Sequence, residues 1–243
     1  MTRVLLCVAL ALTTTACAQL LGGGDVAGYP DVDLNATEVE VYKSTDQRDL
    51  HIHIFRPADT EAEPLGSIVL FHGGGFAATR VEQFQTQAER LADAGIVGII
   101  AEYRVTAEGT TRADAVGDGA DAIAALRGGS ERLGIDANRI AIGGSSAGGA
   151  LAVEASAGAE LVALFNPAVN GASSGFVADK PTIAFHSRED TIVAFESAKE
   201  FCDFASDCTL VAFDEGDHGF FNSEPALTET TDAMIAFLQQ HGW

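Results

Sequence analysis

What most constrains this chain is a series of short, strongly apolar stretches separated by longer helical ones. Ser67–Phe71, Ile96–Ala101, Arg139–Ile142, Leu161–Phe165, Thr182–Phe185 and Thr209–Phe213 are short runs with hardly any polar alternation. A strand has this character when both its faces are covered. Helical stretches lie between them: Val81–Ala94 (closed by Gly95), Thr111–Leu133, Ser146–Ala155, Val193–Ala205 and Thr228–Gln240. Strands that alternate with helices imply right-handed crossovers and a parallel sheet. Two earlier stretches differ. Glu38–Tyr42 and Leu50–Phe55 alternate polar and apolar residues, and Pro57 ends the second, so they predict an antiparallel start. The expectation is an α/β fold: one eight-stranded, mostly parallel sheet with helices on both faces. A chain of 243 residues, 47% of them hydrophobic, can bury a core of that size. No internal repeat or second domain is visible.

The first residues carry no part of that pattern. Met1-Thr2-Arg3 supplies a positive start, Val4–Leu12 an apolar run, and Thr13–Ala18 small residues. Residues 1–18 therefore predict a secretory signal, too short to span a membrane. Cleavage after Ala18 suits Ala16-Cys17-Ala18. Cleavage before Cys17 suits a lipobox-like Thr15-Ala16-Cys17, in which Thr14 stands where leucine is usual. The second route lipidates Cys17 and tethers the protein to a membrane. The product is a periplasmic or cell-surface lipoprotein, or a secreted protein. Residues 19–36, with Gly22-Gly23-Gly24, predict a flexible segment, and 37–243 the domain that bears the site. Cys202 and Cys208 are the cysteines left for that domain, and an oxidising compartment permits a disulfide between them, the alternative being two buried thiols. The net charge of −21 excludes a nucleic-acid partner on electrostatic grounds.

Between the strand Arg139–Ile142 and the next helix lies Gly144-Ser145-Ser146-Ala147-Gly148, which fits G-x-S-x-G. A sharp strand–turn–helix holds a nucleophile in a strained conformation and needs small neighbours. Only Ser146 has glycine at both flanking positions; Ser145 fills the free x position as a small polar neighbour. At the end of the third strand, His72-Gly73-Gly74-Gly75-Phe76 supplies a loop whose backbone can approach a reacting carbonyl. The N–H groups of Gly74, Gly75 and Ala147 are the expected oxyanion donors. His72 is expected to brace that loop.

A serine hydroxyl needs a base. Among His186, His218 and His241, only His218 lies in a loop between the last strand and last helix, where it can reach Ser146. The orienting acid should precede it, after the seventh strand. Asp190, three residues before Val193, is the choice, with Glu189 and Asp217 as alternatives. His51 and His53 share one strand face. With no third ligand evident they predict a solvent-facing pair and no metal site. Asp118 and Asp121 predict a solvated helix face or a loop brace. No cofactor is required.

The order Ser146, Asp190, His218, together with His72–Phe76, Tyr103-Arg104, Gly144–Gly149 and Gly216–Phe221, resembles the HGGG-type α/β-hydrolase esterases. The resemblance runs from about Val39 to Leu238, near the hormone-sensitive-lipase-like and exported acetyl-esterase-like branches. It implies serine-dependent hydrolysis of carboxylic esters, often short acyl groups on alcohols or sugars; a cysteine pair like Cys202 and Cys208 occurs in some exported members. The implied partner is a small-molecule ester, carbohydrate esters included. Many relatives have an N-terminal cap or lid helices after the sixth strand. Here only Ala168–Lys180 follows Asn166-Pro167, so a minimal cap and an open site are expected. Ala107-Glu108-Gly109 replaces the usual Ala-Pro-Glu, which predicts a looser turn. A prolyl-oligopeptidase-type peptidase shares the triad order but usually adds a gating domain. A non-catalytic scaffold would have lost the serine or histidine.

Overall fold

The computed structural model describes residues 33–58, 64–177 and 179–243. The signal sequence, Cys17 and most of the 19–36 segment lie outside the described residues. The sheet has eight strands: β1 (Glu38–Ser44), β2 (Asp49–Phe55), β3 (Leu65–Phe71), β4 (Val97–Ala101), β5 (Ile135–Ser145), β6 (Val162–Phe165), β7 (Thr182–Ser187) and β8 (Cys208–Phe213). Their spatial order is β1-β2-β4-β3-β5-β6-β7-β8. β2 is antiparallel to both of its neighbours, and every pairing from β4 to β8 is parallel. The antiparallel start and the parallel body thus follow the pattern change in the sequence.

Among the described residues, six helices cover the sheet: α1 (Gln85–Asp93), α2 (Arg112–Gly128), α3 (Ser130–Leu133), α4 (Ser146–Glu154), α5 (Phe195–Phe204) and α6 (Ala226–Gln240). Two cores result, one per face. Ala122, Ile123 and Leu126 of α2, Leu151 and Val153 of α4, and Phe201 of α5 pack on one side. Phe84, Ala88 and Leu91 at α1 and Met234, Phe237 and Leu238 of α6 pack on the other. The stretch Thr111–Leu133 is two helices, not one. Gly129 caps the end of α2 and the start of α3, and the pair Gly128-Gly129 is where helix propensity is weakest. The first helical stretch likewise begins as a 3-10 turn, Val81–Phe84. Between β6 and β7 the described residues contain one 3-10 turn, Gly171–Val177, and no lid helix.

The antiparallel edge carries a buried ionic network. Asp118, fully buried on α2, accepts from Arg104 Nε at 2.8 Å, Arg104 Nη2 at 2.7 Å and Lys43 Nζ at 2.6 Å. It braces the segment after β4. Asp121 stays exposed and meets Lys43. The two strand histidines depart from expectation. His53 is buried, 6% exposed, and its Nε2 lies 3.2 Å from Glu102 Oε1. His51 Nδ1 is 3.4 Å from Glu102 Oε2, which Arg48 Nη1 also approaches at 2.5 Å. The missing partner comes from just past β4, which alternation along β2 cannot reveal. The turn at Ala107-Glu108-Gly109 is also tighter than expected. Glu108 accepts from Val105 N at 2.9 Å and from Arg48 Nε at 2.7 Å.

Candidate active site

The carboxyl ends of β3, β5, β6, β7 and β8 bring the site together, as topology requires for the crevice of an open parallel sheet. Ser146, the first residue of α4, has φ +51, a left-handed conformation that a non-glycine residue adopts at a cost. The turn can exist only because its neighbours lack side chains. A Cβ on Gly144 would overlap Gly148 O, and one on Gly148 would overlap Phe71 O at the end of β3. The sequence thus puts Ser146 at the start of a helix, where the positive end of the helix dipole favours developing negative charge.

His218 reaches over from the loop after β8. Its Nε2 lies 3.0 Å from Ser146 Oγ and its Nδ1 2.7 Å from Asp190 Oδ2. Asp190 is held in turn: its Oδ1 accepts from Ile192 N at 2.8 Å and Val193 N at 2.9 Å. Burial tends to raise the carboxyl group's pKa. Hydrogen bonds from His186 and His218 and from the backbone N–H groups of Val193 and Ile192 outweigh it and hold Asp190 well below the usual carboxylate range. The two acids left open are elsewhere. Glu189 accepts from Gly216 N at 3.4 Å, and Asp217 Oδ1 from Gly219 N at 2.8 Å.

The glycine loop after β3 folds against the elbow. Gly74, Gly75 and Phe76 all have positive φ (+126, +64 and +60), and a Cβ on Gly74 would overlap Ala78 O. Gly73 N donates to Gln83 Oε1 at 2.7 Å. The backbone hydrogen bonds of the described residues use Gly74 O but give the N–H groups of Gly74 and Gly75 no acceptor. Together with Ala147 N, in the first turn of α4, these donors remain available to an oxygen anion. His72 is fully buried. Its Nδ1 lies 2.5 Å from Gly73 O, and its ring stacks on Tyr103 at 4.4 Å. Tyr103 donates to His72 O at 2.9 Å. Burial pushes His72 down to about 4, so it stays neutral as a loop brace.

Three neighbours escaped the sequence reading. His186, at the end of β7 and fully buried, lies with Nε2 3.2 Å from Asp190 Oδ2 and 2.9 Å from Val193 O. Asn166, closing β6, places its Nδ2 2.6 Å from His218 O. Gln83 accepts not only from Gly73 N but from Ser145 Oγ, at 2.9 Å. It therefore ties the glycine loop to the elbow, and Ser145 has a specific partner. None of these has a local motif: the partners of Gln83 and Asn166 are distant in sequence, and the His186 contact depends on how the loop after β7 turns. Gln83 also lines a cavity of about 360 Å³ with Arg80, Glu82, Thr86, Gln87, Asn222 and Leu227. Cys202 and Cys208, at the end of α5 and the start of β8, are joined as a disulfide.

Among known proteins, the alpha/beta hydrolase fold family model matches residues 68–205. The structure is similar to that of an esterase of the planctomycete Thermogutta terrifontis, at 30% identity, TM-score 0.80, covering 86% of this chain and 94% of that one. The butyrate-bound form of the same esterase matches at 29% identity and TM-score 0.80, covering 86% and 96%. An ethyl acetate hydrolase of Pseudomonas putida is 35% identical over 111 residues, 44% of this chain. That match spans only 34% of the Pseudomonas protein's length.

Proposed function

Because this chain is an esterase-type member of the α/β hydrolase fold family, we propose that it is a serine carboxylesterase acting on short-chain carboxylic esters. One observation carries the reading: the unbroken line from Asp190 through His218 to Ser146, at 2.7 and 3.0 Å, with the serine at φ +51. His218 takes the Ser146 proton as the hydroxyl attacks the ester carbonyl. Asp190 fixes the ring with Nδ1–H inward and stabilises the imidazolium. The N–H groups of Gly74, Gly75 and Ala147 receive the oxyanion. The protonated His218 then gives its proton to the leaving alcohol. Water, activated by the same base, hydrolyses the acyl-enzyme.

Two features support the substrate size. The β6–β7 segment adds no lid helix among its described residues, so long acyl chains gain little apolar cover. The Thermogutta relative has butyrate bound. The cavity beside Gln83 is lined mainly by amide, hydroxyl and charged groups, with Leu227 as its aliphatic member. Such walls suit a hydroxyl-bearing alcohol or sugar moiety better than a hydrocarbon chain. The Cys202–Cys208 bond supports an exported enzyme, matured after Ala18 or as a lipoprotein at Cys17; the mass of the purified N-terminal peptide distinguishes the two. The central test is turnover of p-nitrophenyl acetate by the mature protein and by Ser146→Ala. A loss of about 10⁴-fold or more is expected on removing the nucleophile. Equal rates would end the assignment.

A further inference from the structure

Asn166 is 1% exposed and sits at the end of β6 with φ +39, a backbone conformation that asparagine tolerates better than most residues. Its backbone N–H donates to Phe185 O at 2.7 Å, which fixes the residue to β7. Its side-chain Nδ2 meets His218 three times: 2.6 Å from the carbonyl oxygen, 2.9 Å from Nδ1 and 3.1 Å from Nε2. The carbonyl contact is a hydrogen bond. The ring contacts are of another kind. The in-plane directions of the two ring nitrogens are already occupied, by Asp190 and by Ser146. An atom nearly equidistant from both nitrogens at this range would overlap the carbon between them if it lay in the ring plane. The amide nitrogen therefore lies over the imidazole face. The Asn166 Oδ1 atom is buried with no partner among the described residues, so the amide is oriented by what its nitrogen does.

We propose that Asn166 is a positioning residue for the His218 base: its amide, bonded to the His218 carbonyl and laid against the ring face, holds the ring between Asp190 and Ser146. An N–H laid on the electron-rich face of an imidazole restrains the ring's rotation. Other ionisable groups stand around His218. Asp190 faces Nδ1 from the loop after β7, with His186 behind it. Asp217 and Glu215 belong to the histidine's own loop, and Glu189 meets that loop at Gly216.

The inference rests on the esterase reading above, and the experiment separates the two. Two variants remove the amide: Asn166→Gly suits the left-handed backbone, and Asn166→Leu keeps side-chain volume. kcat and KM for p-nitrophenyl acetate are measured per active site titrated with a fluorophosphonate, together with the rate at which the fluorophosphonate labels Ser146. Both variants are expected to lose about tenfold in kcat and in labelling rate with KM little changed, because the base is no longer held over the serine. A kcat within about twofold of wild type in a folded variant, or a loss carried by KM instead, overturns the proposal. Two variants that fail to fold would assign the amide to the scaffold and overturn it as well. Absence of Ser146-dependent turnover in the wild type would instead overturn the esterase reading itself.

Discussion

Two buried carboxylates in this molecule each gather two histidines, and they do different things. Glu102, just past β4, meets His53 and His51; Asp190, just past β7, meets His218 and His186. In both, burial opposes ionisation and hydrogen bonds overcome it, helped at Glu102 by the nearby positive charge of Arg48. The surroundings then diverge. Arg48 Nη1 lies 2.5 Å from Glu102, so that charge is already neutralised. Asp190 has no lysine or arginine in ion-pair range among the described residues, only the two rings and two backbone N–H groups. Its charge remains available to a ring that gains a proton. The far nitrogen differs too: His218 Nε2 points at a serine in a strained turn, whereas His51 opens partly to solvent. On the proposed mechanism, what lies beyond the ring is what separates the two carboxylate–histidine contacts.

The sharpest way to break this contrast is to neutralise each carboxylate. Asp190→Asn is expected to lower kcat by about 10⁴-fold with the fold retained, since the ring loses its orientation and its counter-charge. Glu102→Gln should leave kcat per folded molecule within about twofold and instead cost about 2 kcal/mol of stability, by removing one of the two buried carboxylates that meet Arg48. Parallel kinetics and urea unfolding check both. Similar kinetic losses in the two variants would erase the distinction.

His72 offers a smaller effect of another kind, a buried histidine bonded to the carbonyl oxygen of Gly73 and stacked on Tyr103. Burial holds its folded-state pKa at about 4, against about 6.5 in the unfolded chain. The unfolded state therefore takes up a proton first as the pH drops. Stability should fall by about 2 kcal/mol between neutral pH and about pH 5, and this contribution levels off below about pH 4. Urea unfolding across that range should show a shallower slope for His72→Asn. An identical slope would mean the loop admits a charged ring.

The smallest expected effect comes from within the Asp190 group. His186→Phe preserves bulk and removes one donor to Oδ2. A loss of about tenfold in kcat is expected, with KM little changed, because Asp190 is held less firmly and not removed. The matching change at the other carboxylate, His51→Phe, should leave kcat as it was. Steady-state kinetics on the pair decides whether histidines around a carboxylate matter by position or by presence.

The sheet was legible because covered strands leave apolar runs and crossovers leave helices between them. The elbow, the glycine loop, Asp190 and His218 were legible for a related reason: their chemistry fixes residue types at set places in the fold. Gln83, Asn166 and His186 were not. Their partners lie 62, 52 and 4 residues away, and even the nearest contact depends on how the loop after β7 turns. The burial of His53 escaped for the same reason, since Glu102 approaches from just past β4, 49 residues on.

The crowding of the elbow also decides where this protein can vary. At Gly144 and Gly148 any side chain would run into main-chain atoms, which no neighbouring substitution can trim away. Selection for a new ester therefore finds the turn closed to it. Glu82, Thr86 and Asn222 line the adjoining cavity with their side chains exposed, on segments that flank the glycine loop and the base. A library confined to those three positions would diversify recognition while the chemistry is inherited unchanged, and the molecule is in that sense divided into a part that evolves and a part that cannot.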